Sequence, residues 1–208
     1  AITNLVRSLE NNHSDTSLQA TGLIGDYFEG LKVITQNESK QNLVLFLGVT
    51  LNNMGLEKTR SFLKSLRGSL GPKDFLLTGF DLMKKPKLLY SAYNNALFEK
   101  FNLHLLDRIN EELDANFNKN NFTQQGQYNP NTRAVESYLY STESQTININ
   151  ALNTDLHFRA WEAMQTEQSF KFTLEEIENL AAENGFEVVE HFFDSKKYFL
   201  DSVWKVAS

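Results

Sequence analysis

The residues with chemical potential fall in two places. In Thr166-Glu167-Gln168-Ser169-Phe170-Lys171 a carboxylate and a hydroxyl lie two positions apart, so a strand would put both on one face. Such a pair also suits a plain solvated strand face. The second place is the set of polar groups that close apolar runs: Asp26, Asn53 and Asp81, with Tyr93 further on. Asn53 is a neutral amide able to orient an amine or a carboxylate, or simply an N-cap for the helix that follows. Asp26 and Asp81 are equally read as turn or helix caps, and Tyr93 as a packing aromatic.

The elements that must position these groups alternate. A short helix is expected over 3–11, a strand over Leu18–Ile24, and a helix after Gly25-Asp26-Tyr27-Phe28 that carries Leu31, Val33 and Ile34. Leu43 to Leu47 is unbroken and apolar and exits at Gly48, which predicts a parallel strand buried on both faces. Ligands in open α/β sheets sit beyond the carboxyl ends of such strands, where Gly48–Asn53 falls. A helix over 55–67 with Leu56, Phe62, Leu63 and Leu66 in period, and a strand over Asp74–Asp81, complete a βαβ pattern.

The pattern then changes. Pro86 to Asp114 reads as helix in two pieces, Asn116–Asn131 is rich in amides, and Arg133–Ser141 looks like a strand. Thr146–Asn150 and Asp155–Phe158 alternate as antiparallel strands do. Thr173 with Glu176 forms a capping-box signature for a helix ending at Asn184-Gly185, and Asp194–Lys197 joins two last strands as a hairpin. The expected architecture is α/β: a core of residues 1–84 and 170–208 with an inserted α+β subdomain, or lid, over 85–169.

Composition narrows the function classes. The 208 residues carry a net charge of −6, without a basic stripe, which argues against a nucleic-acid partner. No apolar stretch approaches a membrane span, and the first residues lack the apolar centre of a signal peptide. With no cysteine, disulfide and thiolate chemistry are excluded, and a cytoplasmic setting is expected. The sequons at Asn12, Asn37 and Asn121 are read as incidental. The four histidines lack metal-binding spacing, so no metal is expected. Gly-x-Ser-x-Gly, Walker A and Gly-x-Gly-x-x-Gly motifs are absent from the chain.

Six stretches together resemble a known family: Gly25-Asp26-Tyr27, Leu45 to Asn53, Leu76 to Leu82, Ala92-Tyr93-Asn94-Asn95, Phe101 to Leu106, and Thr166 to Phe172. In this order they are similar to the histidine-specific, S-adenosylmethionine-dependent methyltransferases, the type that methylates the α-amine of histidine in ergothioneine biosynthesis. The resemblance implies a Rossmann-like methyltransferase sheet of strand order 3-2-1-4-5-7-6, with S-adenosylmethionine as methyl donor. It implies that Gly25, Asp26 and Tyr27 meet the donor's adenine end, with Gly48 also on the donor side. Gly48 and Asn53 would hold the substrate's α-amine, Tyr93 its carboxylate, and Glu167 with Ser169 its imidazole ring. Asn53 and Tyr93 would be the catalytic pair. A carboxylate and a hydroxyl can fix both ring nitrogens, and leaving such buried groups unpaired would reject ligands without a matching ring.

The departures are specific. Val49 and Asn52 stand where the family has a small residue and a glycine, and the Tyr93–Phe101 interval is about two residues short of the family pattern. The match begins after the family's glycine-rich donor loop, so the sheet is expected to be incomplete on its N-terminal side. That would detach the strand at 18–24 and bare an edge at 43–47, to be covered by a missing segment or a second copy, and the 208-residue chain alone would show little activity. Two alternatives are a non-catalytic relative that binds an imidazole or amino-acid ligand, and a structural interaction module.

Overall fold

A computed structural model describes residues 1–35 and 41–207, with the side chains of 32–35 outside that description. The sequon at Asn37 and the packing of Val33 and Ile34 fall outside the described residues. The chain opens with α1 (Ile2–Asn12), which buries none of its residues, and α2 (Tyr27–Thr35). The first sheet contains β1 (Leu43–Phe46) and β2 (Phe75–Asp81), joined through a 3₁₀ turn at Thr50–Asn53 and α3 (Leu56–Gly68). It is completed by β8 (Phe186–Phe193) and β9 (Phe199–Val206), in the order β1-β2-β9-β8. β1 runs parallel to β2 and β9 antiparallel to it, which is the 4-5-7-6 half of the expected order.

The core of this sheet is aromatic and branched. Trp204 stacks on Phe80 at 5.8 Å and packs on Phe186 at 5.6 Å. Leu63 and Leu66 of α3 join them, as do Ile177 and Leu180 of α6 (Leu174–Glu183). Each such side chain taken from water stabilises by roughly 1.5–3 kcal/mol. The capping box that opens α6 is present: Glu176 N–H donates to Thr173 Oγ1 at 3.3 Å and Thr173 N–H to Glu176 Oε2 at 2.9 Å.

Residues 86–170 build a second sheet with its own apolar cluster of Leu106, Phe117, Phe122, Leu139 and Ile147. Helices α4 (Pro86–Tyr93) and α5 (Ala96–Leu113) lead into β3 (Phe122–Asn129), β4 (Ala134–Ser141) and β7 (Ala163–Phe170), which are antiparallel in the order β3-β4-β7. Between β4 and β7, the strands β5 (Gln145–Ile149) and β6 (Thr154–Phe158) form a separate antiparallel pair. β3 runs through the amide-rich tract, where the sequence showed only a bias in composition.

Two sequence expectations fail here. Leu18–Ile24 is not a strand: it has no regular structure and pairs with no strand among the described residues, and an extended segment without a pairing neighbour has little to hold it. Leu43–Phe46 does form a strand, with Leu47 just beyond it, but it is not buried on both faces. Among the described residues β1 pairs only with β2, so Val44 and Phe46 are half-buried while Leu43 and Leu45 remain 56% and 55% exposed.

Candidate functional site

The second sheet presents one face that collects the polar groups. Residues directly opposite in an antiparallel ladder share a face. Gly126, Ser137 and Glu167 form one row across β3, β4 and β7, and Tyr128, Val135 and Ser169 form the next. An irregularity between Ser137 and Tyr138 shifts the register, so that Thr166 falls between paired residues and donates to Asn102 Oδ1 at 2.6 Å. Glu167 and Ser169 therefore do share a face, as their spacing predicts.

Tyr93 lies on that same face because Gly126 leaves room for it. A Cβ on Gly126 would come within 2.8 Å of Tyr93 Cβ and 2.9 Å of its carbonyl oxygen. The end of α4 is then clamped to β3. Asn94 accepts from Gly126 N–H at 2.8 Å and donates to Gly126 O at 2.9 Å, while Gln124 donates to Tyr93 O at 3.0 Å. The amide-rich tract is the seat of this clamp. Tyr93 also packs edge-on against Phe98 at 4.9 Å, so it serves as a packing aromatic with a polar tip.

The 3₁₀ turn is tied to the same place by Asn52. Its Nδ2 donates to Phe170 O at 2.6 Å and to Asp81 O at 3.2 Å, with the residue wholly buried. The non-family Asn52 thus fastens the turn between the ends of β2 and β7. Asn53, next in the chain, is exposed, and its side chain has no hydrogen-bond partner among the described residues. It is not the N-cap of α3; that position is Gly55. Gly48 has φ +85°, and a Cβ there would meet nothing within 4 Å, so its backbone borders open space beyond β1.

Below Ser169 the segment leaving β7 joins the end of β2. Phe172 N–H donates to Asp81 O at 3.2 Å and Met83 N–H to Phe172 O at 2.8 Å. This docking lays Lys171, wholly buried, against Asp81. The Nζ lies 2.8 Å from Asp81 Oδ2, 2.8 Å from Tyr93 Oη and 2.8 Å from Ser169 Oγ. Asp81 also pairs with Lys84. Asp81 is therefore an ion-pair partner and not a helix cap. Lys171 was missed as a site residue, although its i, i+2, i+4 spacing with Glu167 and Ser169 on a strand places all three on one face.

Glu167, half-buried, contrasts with the buried Glu136 of the same sheet. Glu136 is satisfied by Asn129, Thr132 and Tyr138 at 3.1, 3.0 and 2.8 Å. Glu167 has a buried Oε2 with no partner among the described residues. Burial raises its pKa, and the Lys171 charge pulls it partly back. A buried acceptor left unmatched costs about 1–3 kcal/mol, which a ligand N–H would recover.

The residues expected on the donor side lie elsewhere. Asp26 caps α2, accepting from Phe28 N–H at 2.8 Å and Glu29 N–H at 3.3 Å, so the cap reading holds for it. Tyr27 is exposed, with its ring 6.4 Å from Phe46 at the end of β1. Among the described residues no hydrogen bond joins Gly25–Tyr27 to the Glu167 face. The group fits an adenine edge by chemistry: Asp26 Oδ2 accepts no hydrogen bond from the described residues, Tyr27 offers a ring face, and Gly48 opens the backbone. A depression of about 640 Å³ on the outer side of α5, lined by Leu97, Phe101, His104 and Lys119, contains none of the expected site residues.

The histidine-specific, S-adenosylmethionine-dependent methyltransferase family model matches residues 1–206. The chain belongs to that family. It is 33% identical over 170 residues to the histidine N-alpha-methyltransferase of Mycolicibacterium smegmatis, covering 81% of this chain and 52% of that protein. It is 28% identical over 202 residues to ergothioneine biosynthesis protein 1 of Neurospora crassa, covering 94% of this chain and 22% of that protein. The chain thus spans about half the length of the bacterial relatives it matches. A solved S-adenosylmethionine-dependent methyltransferase from Clostridium acetobutylicum is a distant likeness, with a TM-score of 0.45 and 10% identity over 99% of this chain and 72% of that one.

Proposed function

We propose that the chain carries the substrate-gripping part of an S-adenosylmethionine-dependent N-methyltransferase acting on the α-amine of histidine or a close relative. The observation that carries the reading is the convergence of Glu167, Ser169 and Tyr93 on one sheet face, beside a turn that Asn52 fastens there with Asn53 left unengaged. Glu167 accepts a ring N–H, Ser169 meets the other ring nitrogen, and Tyr93 meets the substrate carboxylate. Asn53 orients the amine through a neutral amide, which leaves the nitrogen lone pair free for attack. Positioning of this kind is the protein's main contribution to an in-line displacement. The donor supplies the methyl carbon on a sulfonium when bound. Gly25, Asp26, Tyr27 and Gly48 are assigned to the donor side.

The test is calorimetric titration with L-histidine. The wild-type protein should bind, and Glu167→Ala should weaken binding about thirtyfold, the equivalent of ~2 kcal/mol for a lost charge-assisted hydrogen bond. Unchanged affinity in Glu167→Ala would overturn the imidazole assignment.

A further inference from the structure

We infer that Lys171 is a positioning residue that fixes the direction of the Tyr93 and Ser169 hydroxyl protons, so that the site accepts a neutral ring with a bare nitrogen toward Ser169 and rejects the doubly protonated ring. The inference deepens the imidazole reading above and rests on it.

A lysine ammonium has three N–H donors and no acceptor. Lys171 has three partners at hydrogen-bond distance, Asp81 Oδ2, Tyr93 Oη and Ser169 Oγ, each at 2.8 Å. No donor is left over, and the ammonium itself is wholly buried. Both hydroxyl oxygens are thereby held as acceptors from the ammonium. Each keeps one proton, and neither has an acceptor for it among the described residues. Those two protons are free for a ligand.

The site then shows a fixed pattern: one acceptor at Glu167 and donors at Ser169 and Tyr93. A neutral imidazole in one tautomer, with its N–H toward Glu167, matches the first two, and a carboxylate matches the third. An imidazolium has a second N–H, which would face the Ser169 proton. A mismatch of donors in a buried site is the strongest kind of discrimination available to a pocket. The charged and titratable groups around Lys171 are consistent with this arrangement. Asp81 and Lys84 approach from β2 and the residues just after it, Tyr93 from α4, and Glu167 from β7 itself. The cation also opposes the burial that raises Glu167, which favours the ionised acceptor.

The experiment follows ring-¹⁵N-labelled L-histidine by NMR, bound to the 208-residue protein and to Lys171→Met, across pH. Asp81 retains Lys84 in the variant. Wild-type protein should hold a single neutral tautomer down to about one pH unit below the usual imidazole midpoint near 6.5. In Lys171→Met the bound ring should take its second proton at or above that midpoint, because both hydroxyls are released to accept and the cation is gone. If that variant does not fold, Lys171→Leu, an apolar side chain that likewise has no donor, carries the same readout. A wild-type site that takes up the doubly protonated ring, or a variant whose bound ring titrates as in wild type, overturns the inference while the imidazole site stands. Absence of histidine binding in wild type overturns the site reading and the inference with it.

Discussion

The strand β1 and the strand β7 invert what their compositions suggest. β1 is Leu-Val-Leu-Phe, yet one of its faces lies open and it borders a single neighbour among the described residues. β7 ends in Glu-Gln-Ser-Phe and leads into a lysine, yet Ser169 and Lys171 are buried and Lys171 donates to Asp81, Tyr93 and Ser169. Burial is conferred by neighbours and not by the side chain's own preference. β7 is flanked by β4 and by the 3₁₀ turn that Asn52 fastens to it, and Lys171 beyond it lies against the end of β2 and Tyr93. The buried ammonium there survives because Asp81, Tyr93 and Ser169 take its three donors, while Glu167 Oε2 and the two hydroxyl protons stay open to a ligand.

This contrast is open to test by substitution. The largest effect is expected from Leu139→Ala in β4, wholly buried, at about 2–5 kcal/mol in urea unfolding. Asn52→Ala should follow at ~2 kcal/mol, since it leaves the Phe170 carbonyl without its donor and takes one of two from the Asp81 carbonyl. Its histidine affinity should fall as well if the turn positions Asn53. Gly126→Ala should cost about 1–2 kcal/mol by pressing on Tyr93, and should weaken histidine binding more than Gly68→Ala, where a Cβ meets nothing.

Glu167→Gln tests the same contrast through pH. Burial raises the Glu167 pKa, so its folded-state contribution is full below the ordinary glutamate range and is lost as pH rises through the elevated value. The glutamine variant should therefore unfold at a slightly higher temperature than wild type near pH 7, with the gap closing as pH falls toward 4. The smallest effect belongs to Leu45→Ala on the open face of β1, at under ~0.5 kcal/mol. A cost there equal to that of Leu139→Ala would erase the difference between the two strands.

Much of the fold was legible because it rests on local rules. The α6 capping box, the final hairpin, the two-piece helix over 86–113 and the alternating β5–β6 pair all announce themselves within a few residues. The face shared by Glu167 and Ser169 followed from strand periodicity alone. The rest depends on contacts distant in sequence. Leu18–Ile24 has a strand's composition but no ladder beside it. β3 hides in a tract of amides whose purpose, clamping Tyr93, shows only when α4 is laid across it. Lys171 carries a surface-type side chain, and only the docking of Phe172 on Asp81 explains why it is buried. Asn52 looked like a departure from the family loop and proves to be the fastening of that loop.

The central claim is that one face of the second sheet grips an imidazole amino acid. A backbone-amide NMR titration with L-histidine tests it most directly. Saturable shifts should concentrate at Tyr93, at 166–171 and at Asn52–Asn53. Shifts confined to the Phe101–Lys119 depression on α5, with β7 silent, would contradict it.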